Sequence, residues 1–159
     1  MTQKSLSNWL KITIGGIAAC GIIIYACLIP WFGKDLVQAN PEFSYCYAPW
    51  LCIIWLTAIP CYLALYFGWK ITTEISRDRS FSMVNSRYLK YISILALADS
   101  GYFFLANLAL LFLNMNHPAV FLGSLLAEFA GAAVAVASAA LSHLVQKAAR
   151  IQEENELTI

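Results

Sequence analysis

The sequence predicts an all-α, polytopic membrane protein whose four transmembrane helices form an antiparallel bundle. Hydrophobic residues make up 60% of the 159-residue chain. Charged residues make up 12%, against about 25% in soluble domains. Four apolar runs each reach the length of about 20 residues that a helix needs to cross a bilayer. The charged residues flank these runs unequally, which predicts an orientation.

The four runs occupy most of the chain, so we predict a single transmembrane domain of residues 1–159. The runs are 12–32, 48–69, 91–113 and 120–144. The first follows Lys4 and Lys11, as the apolar core of a signal peptide would. It is longer than the core of about 7–15 residues of such a signal and ends without a small-residue cleavage site. We therefore predict a retained first span.

Lys and Arg residues accumulate on the cytoplasmic side of membrane helices. Nine of the ten in this chain fall on one side of the four runs: Lys4, Lys11, Lys70, Arg77, Arg79, Arg87, Lys90, Lys147 and Arg150. Only Lys34 falls on the other. This asymmetry predicts that both termini, the loop 70–90 and the tail 145–159 are cytoplasmic. The net charge of +1 gives no reason to expect direct binding of nucleic acid.

Two short connections lie on the predicted outer side. The loop 34–47 is polar, and aromatic residues that suit a headgroup interface surround it: Trp31, Phe32, Tyr45, Tyr47 and Trp50. The segment 114–119, Asn-Met-Asn-His-Pro-Ala, favours a tight turn. Spans three and four are therefore predicted to be antiparallel neighbours.

Asp99 in span three and Glu128 in span four interrupt apolar runs, where a charge costs at least about 2.5–3.5 kcal/mol. Each lies eight residues into its span, so antiparallel helices place them within about 6 Å of the same depth. One hypothesis is a ligand, proton or cation site formed by Asp99, Glu128 and Tyr102. The alternative is two structural acids, with Asp99 bonded near Ser100 and Tyr102 and Glu128 bonded to a neighbouring helix.

Span four carries a small residue at every fourth position, namely Ala127, Gly131, Ala135 and Ala139. Small residues at this spacing allow helices to approach closely. The pattern predicts packing inside the bundle or, alternatively, a homo-oligomer. In span two, Pro60 removes a backbone donor and is predicted to form a kink or hinge.

The loop 70–90 is the most patterned polar segment. Ser82 is placed to cap a helix that begins near Met83. We predict a surface that docks a soluble partner, formed by Arg77, Arg79, Phe81, Ser82, Asn85 and Arg87. The alternative is a solvated connector that carries ordinary cytoplasmic charges.

No motif for catalysis, metal binding or phosphate binding occurs in the sequence. The five cysteines have no metal-ligand spacing, and His117 and His143 lie at opposite ends of span four. We therefore predict that the protein is not an enzyme and holds no cofactor and no metal. Cys46 is interpreted as a reduced thiol, with a disulfide to Cys52 as the alternative.

Several segments resemble one known family. They are Trp-Leu-Thr-Ala-Ile-Pro-Cys-Tyr (55–62), Phe-Ser-Met-Val-Asn (81–85), Leu-Lys-Tyr-Ile (89–92), Asp99 with Tyr-Phe-Phe (102–104), Asn-His-Pro (116–118) and Ala-Ala-Leu-Ser-His-Leu-Val (139–145). They are similar to the DUF2975 family, small four-span bacterial membrane proteins of unknown function. Members are often encoded beside a helix-turn-helix regulator of the Cro/cI type.

The resemblance implies a multi-pass protein of the bacterial cytoplasmic membrane that binds or sequesters such a regulator. The loop 70–90 and the acidic tail are then the candidate docking segments, because an acidic tail complements a basic DNA-binding surface. An alternative function is a small oligomeric carrier or immunity-type protein that uses Asp99 and Glu128. Its partners would be the lipid bilayer and further copies of the chain.

Overall fold

The computed structural model describes residues 3–156, with side chains up to residue 155. Helix α1 is Gln3–Ile23, and a π-helical turn, Ile24–Leu28, leads into α2, Ile29–Ala39. A 3₁₀ turn, Pro41–Phe43, precedes α3, which is Ser44–Ser76. Helices α4 and α5 are Met83–Phe112 and Pro118–Glu156.

The fold class predicted from the sequence is confirmed. Four helical segments are long and apolar enough to cross a membrane, the first being the continuous α1–α2 segment, and the described residues contain no strand. The helices are longer than the apolar runs, because backbone hydrogen bonding continues past the hydrocarbon boundary. Of the predicted loop 70–90, only residues 77–82 lie outside a helix.

The helices pack in chain order as an open row. The α1–α2 segment packs against α3, α3 against α4, and α4 against α5, and no other pair of helices packs together in the described part of the chain. The first and last spans therefore do not close a ring. Large apolar side chains remain exposed along all four spans, as a surface that faces lipid requires.

Both described chain ends and the loop 77–82 lie at one end of the row, which we call the terminal face. The Ser7 hydroxyl near the start of α1 donates to the Thr72 carbonyl near the end of α3 over 2.7 Å. The α2–α3 connection and the α4–α5 turn lie at the other end, the opposite face. At each face one helix is followed by a residue in the left-handed backbone conformation that commonly terminates helices. These residues are Asp78 (φ 62°) after α3 and Asn114 (φ 56°) after α4.

Polar residues recur at every seventh position of α4, namely Ser86, Ser93, Ser100 and Asn107, and of these Ser86 and Ser100 lie against α5. The Ser86 hydroxyl donates to the Ser142 carbonyl over 2.9 Å, and the Ser142 hydroxyl donates to the Ser86 carbonyl over 2.7 Å. On α5 the buried residues are spaced by seven, seven, three and four positions: Glu128, Ala135, Ser142, Val145 and Ala149. This is the heptad spacing of a tight antiparallel pair.

The small residues predicted to pack at every fourth position divide between two surfaces. Gly131 lies against Ser100 of α4, and Ala135 is buried. Ala127 and Ala139 are exposed. A step of four residues rotates by about 40° around a helix, so three steps move a side chain by about 120°. The four positions therefore spread over about 120° of the helix surface, and the two central ones, Gly131 and Ala135, are those that pack.

The first span contains a turn where the α-helical hydrogen bonding is irregular, the π turn Ile24–Leu28. Helix α3 continues through Pro60, the predicted hinge. In the π turn, Ile29 N–H donates to the Ile24 carbonyl. Pro30 has no N–H to donate to the next carbonyl, that of Tyr25, and the Trp55 indole of α3 donates to it over 3.0 Å. A side chain from the neighbouring helix thus satisfies the interrupted backbone.

Candidate functional site

A polar cluster lies within the spans, where α4 faces α3. The Cys61 thiol of α3 donates to Asp99 Oδ2 over 3.6 Å. Asp99 Oδ1 is buried and has no hydrogen-bond partner. An unsatisfied carboxyl oxygen inside a membrane segment is costly unless it holds a proton or a ligand. Asp99 is therefore the strongest intramembrane candidate for chemistry.

Three hydroxyl groups extend this cluster. The Tyr25 hydroxyl and Thr57 Oγ1 are 3.1 Å apart, and Thr57 also donates to the Ile54 carbonyl over 2.7 Å. Tyr25 and Tyr102 both lie near Asp99. The cluster thus joins the π-helical turn of the first span, α3 and α4. Sequence reasoning missed Tyr25, Thr57 and Cys61, because each is an ordinary polar residue in its own span until the helices bring them together.

Glu128 lies apart from this cluster. It is buried on the α4 side of α5 and accepts a hydrogen bond from the Ser124 hydroxyl over 3.3 Å. Asp99 faces α3 instead, and α3 and α5 do not pack together in the described chain. The two acids therefore have different hydrogen-bond partners, Cys61 of α3 for Asp99 and Ser124 of α5 for Glu128. Their similar depth was readable from the sequence, but the direction in which each side chain points depends on helix packing.

The loop at the terminal face is held by Asn85. This side chain is 1% exposed, and its Nδ2 donates to the carbonyls of Arg79 and Ser80 over 3.1 and 3.0 Å. The Ser82 hydroxyl accepts from the Asn85 backbone N–H over 3.2 Å, which confirms Ser82 as the cap of α4. Asn85 and Ser82 thus shape the loop from within and are not its exposed contact groups.

The other predicted docking residues are accessible. Arg77 and Arg79 both pair with Glu74, at 3.4 and 3.9 Å, while their side chains stay 59% and 63% exposed. Phe81 is 60% exposed, and Arg87 is exposed on the first turns of α4. The loop and the first turns of α4 therefore present three guanidinium groups and one aromatic ring on a fixed backbone. We call these four residues the loop patch.

Helix α5 extends the terminal face further. Among its residues with described side chains, the last buried one is Ala149, and residues 151–155 are exposed. The acidic residues Glu153 and Glu154 lie on this extension. Residues 157–159 of the predicted acidic tail lie outside the described residues.

Residues 31–159 match the family described as a protein of unknown function, DUF2975. The chain belongs to this family. Over 153 residues it is 28% identical to the uncharacterized membrane protein YoaS of Bacillus subtilis (strain 168), and the alignment covers 94% of each chain. No solved structure matches the chain. The relative's name and the four apolar helices agree on a membrane protein.

In this DUF2975 chain, Thr57, Cys61, Asp99 and the loop patch all lie inside the matched region, whereas Tyr25 precedes it. All five cysteines are free, and Cys46 is buried. His117 Nδ1 accepts a hydrogen bond from the Ala119 N–H over 3.1 Å at the start of α5. Among the described residues, no group of His, Cys, Asp and Glu side chains is arranged to hold a metal ion.

Proposed function

We propose that this protein is a membrane-embedded regulatory or sensing protein that binds a soluble helix-turn-helix transcription regulator and sequesters it at the bacterial cytoplasmic membrane. The loop patch is the observation that carries the proposal. Arg and aromatic residues supply much of the binding energy of protein interfaces. Because Asn85 already fixes the loop backbone, binding costs little ordering entropy.

The distribution of charge supports a cytoplasmic location for this patch. Nine of the ten Lys and Arg residues lie toward the terminal face, which the positive-inside rule assigns to the cytoplasm together with both termini. The α5 extension adds Glu153 and Glu154 to the same face. An acidic helix end complements the basic surface with which a regulator contacts DNA, so occupation of that surface would compete with DNA. The choice of a helix-turn-helix partner rests on the family resemblance.

A pull-down of the tagged protein from its native cells tests this role. Changing Arg77, Arg79 and Arg87 together to Ala is expected to lower recovery of a helix-turn-helix protein by about tenfold or more, because each lost anchor costs about 1 kcal/mol or more. Truncation after Arg150 is expected to weaken recovery as well, through loss of the acidic helix end.

The matched control changes Lys4, Lys11 and Lys147 together to Ala. It removes the same positive charge from the same side but leaves the loop patch intact, so recovery should match that of the wild type. Equal losses in both triple variants, or no helix-turn-helix protein in any sample, would contradict the proposal.

A second candidate function is a small oligomeric carrier or immunity-type protein that uses the intramembrane acid Asp99 as a proton or cation site. The unpartnered Asp99 Oδ1 favours it, since a proton or cation would satisfy this oxygen. A row of four helices encloses no path by itself. This function therefore requires several copies of the chain around one pathway.

The carrier function predicts that Asp99→Asn reduces proton or cation flux in liposomes to the level of empty liposomes. Asparagine keeps the size of the side chain but removes its ability to ionise. Glu128→Gln is the matched control, because Glu128 is also an intramembrane acid but bonds to Ser124 and not to the Asp99 cluster. Liposomes that contain this variant should keep the wild-type flux. Undiminished flux in Asp99→Asn would eliminate the carrier.

A further inference from the structure

The part of helix α5 at the terminal face has apolar residues on two sides. On the side of α4, Val145 and Ala149 are buried. On another side, Leu144 and Ile151 are 62% and 50% exposed, and every other exposed residue described beyond Ser142 is polar or charged. Helix α5 packs against α4 and against no other helix in the described chain. One apolar side of this helix end is therefore covered, and the other is open.

Ile151 lies beyond the depth at which the spans leave the membrane. The mutual hydrogen bonds of Ser86 and Ser142 set these two residues at the same level of the antiparallel pair. Lys90 lies one helical turn deeper on α4, and Lys and Arg residues of this kind flank the membrane on its cytoplasmic side. Ile151 follows Ser142 by nine residues, which is about 13 Å further out at 1.5 Å per residue. Lipid tails therefore do not cover this side chain.

The open apolar side continues without a break into the membrane-spanning part of α5. Its residues follow one another at steps of three and four positions, and none of them is buried. This spacing is the 3.5-residue repeat of a coiled-coil seam. We call this side the free face, formed by Val134, Ala137, Leu141, Leu144, Ala148 and Ile151. Ala130 extends it by one further turn into the span.

The free face fits another helix that crosses the membrane in the same direction. A soluble protein can cover Ile151 but not Val134, whereas lipid tails can cover Val134 but not Ile151. A second copy of α5 covers both, because the charge asymmetry of the chain predicts one orientation for every copy. A two-fold axis then places each residue of the free face against its own counterpart. The occupant with matching length, direction and spacing is therefore a second copy of this chain.

The residue that follows the free face favours two parallel strands. Asn155 is the next position of the seam, four residues beyond Ile151, and it is exposed. A single Asn at such a position specifies the register and the two-stranded state of a parallel pair. The flanking positions agree with this arrangement, since a parallel pair sets Lys147 of one copy opposite Gln152 of the other and not opposite a like charge.

We propose that this protein forms a parallel homodimer in which the free faces of two α5 helices pack along each other and the two Asn155 side chains bond across the axis. Inside the membrane, Ala130 and Ala137 let the helices approach closely. Outside it, burial of Leu144 and Ile151 removes apolar surface from water. A short helix end alone in water is only marginally stable, and pairing supports it. The inference goes beyond the proposed regulatory role, because the dimer forms without any regulator.

Cysteine crosslinking of the full-length protein in native membranes tests the seam. A disulfide needs Cα atoms within about 7 Å, a distance that a two-fold seam provides between a residue and its counterpart. Oxidation of Ile151→Cys with copper phenanthroline should shift most of the chain to a band of twice its mass. The matched control is Glu153→Cys, an exposed position on the other side of α5, which should stay at the background that the five native cysteines give in the wild type.

Two results of this experiment would overturn the proposal. One is a dimer band for Ile151→Cys that is no stronger than the band for Glu153→Cys. The other is an adduct of Ile151→Cys with a different protein in place of the dimer, because the free face would then belong to another partner.

A second pair of variants tests the seam within the apolar run of α5. Ala137→Leu should weaken dimer formation by about tenfold, as overpacking of about 1.4 kcal/mol implies. The matched control is Ala139→Leu, which adds the same bulk at an exposed position on the other side of the helix and should dimerise like the wild type. Energy transfer between labelled copies in liposomes of increasing lipid content measures both affinities. Equal affinities of the two variants would contradict the proposal.

Discussion

Replacing Gly131 with Leu is expected to lower the free energy of unfolding by about 3 kcal/mol, as overpacking of a tight interface does. A Cβ at Gly131 would collide with Ser100 Oγ, and it would lie 3.9 Å from the Ala96 carbonyl oxygen. Ser100 can rotate away from a methyl group, but a full Leu side chain has to push α4 and α5 apart. Unfolding in mixed micelles with increasing SDS measures the effect.

Gly123 provides the matched control on the same helix. A Cβ there meets nothing within 4 Å. Both Gly→Leu changes gain the same helix propensity, about 0.8 kcal/mol, so the difference between them isolates the packing term. Equal stability of the Gly131→Leu and Gly123→Leu variants would show that α4 and α5 do not approach closely at Gly131.

Replacing Asn85 with Ala is expected to release the loop 77–82 from α4. The change removes two hydrogen bonds from a buried side chain and leaves the Arg79 and Ser80 carbonyls without this donor, a cost of about 1–3 kcal/mol. Limited digestion with trypsin reports the result directly, because Arg77 and Arg79 lie at this loop. Cleavage after these two residues should accelerate by about tenfold, because the free energy needed to open the loop locally falls.

Two comparisons make this result specific. Arg87 lies within α4, so trypsin should cleave after it equally slowly in the wild type and in Asn85→Ala. Val84→Ala changes a 43% exposed neighbour in the same turn of α4 and should leave cleavage at the loop unchanged. Wild-type cleavage rates in Asn85→Ala would mean that the loop does not depend on this amide. In the pull-down, the Asn85→Ala variant should also bind the regulator more weakly, although the four residues of the loop patch are unchanged.

The spans, their number and the cap at Ser82 were predictable because each depends on local composition. Hydrocarbon thickness fixes the length of an apolar run, and a serine before Met83 satisfies orphan amides at the start of α4. The heptad of Ser86, Ser93, Ser100 and Asn107 was also visible in the sequence. It indicates the face of α4 that contacts α5, whereas the small residues at every fourth position of span four do not.

The candidate sites were less predictable. Asp99 and Glu128 drew attention because an acid in an apolar run is costly wherever its helix packs. Their separation, and the grouping of Asp99 with Cys61 and Tyr25, depends on how the helices are rotated about their axes. Rotation is set by contacts between spans, which a single sequence does not display. The free face of α5 is likewise defined only by the helix that packs on its other side.

The sequence by itself determined that this is an all-helical membrane protein with four long apolar helices, because hydrophobicity and length act within each segment. The tertiary structure alone decided that the helices form an open row and that Glu128 is separate from Asp99. It also decided that Asn85 supports the loop patch from within, and that the free face of α5 stays largely exposed. These features arise from packing between distant segments, where side-chain direction and hydrogen-bond partners are fixed together.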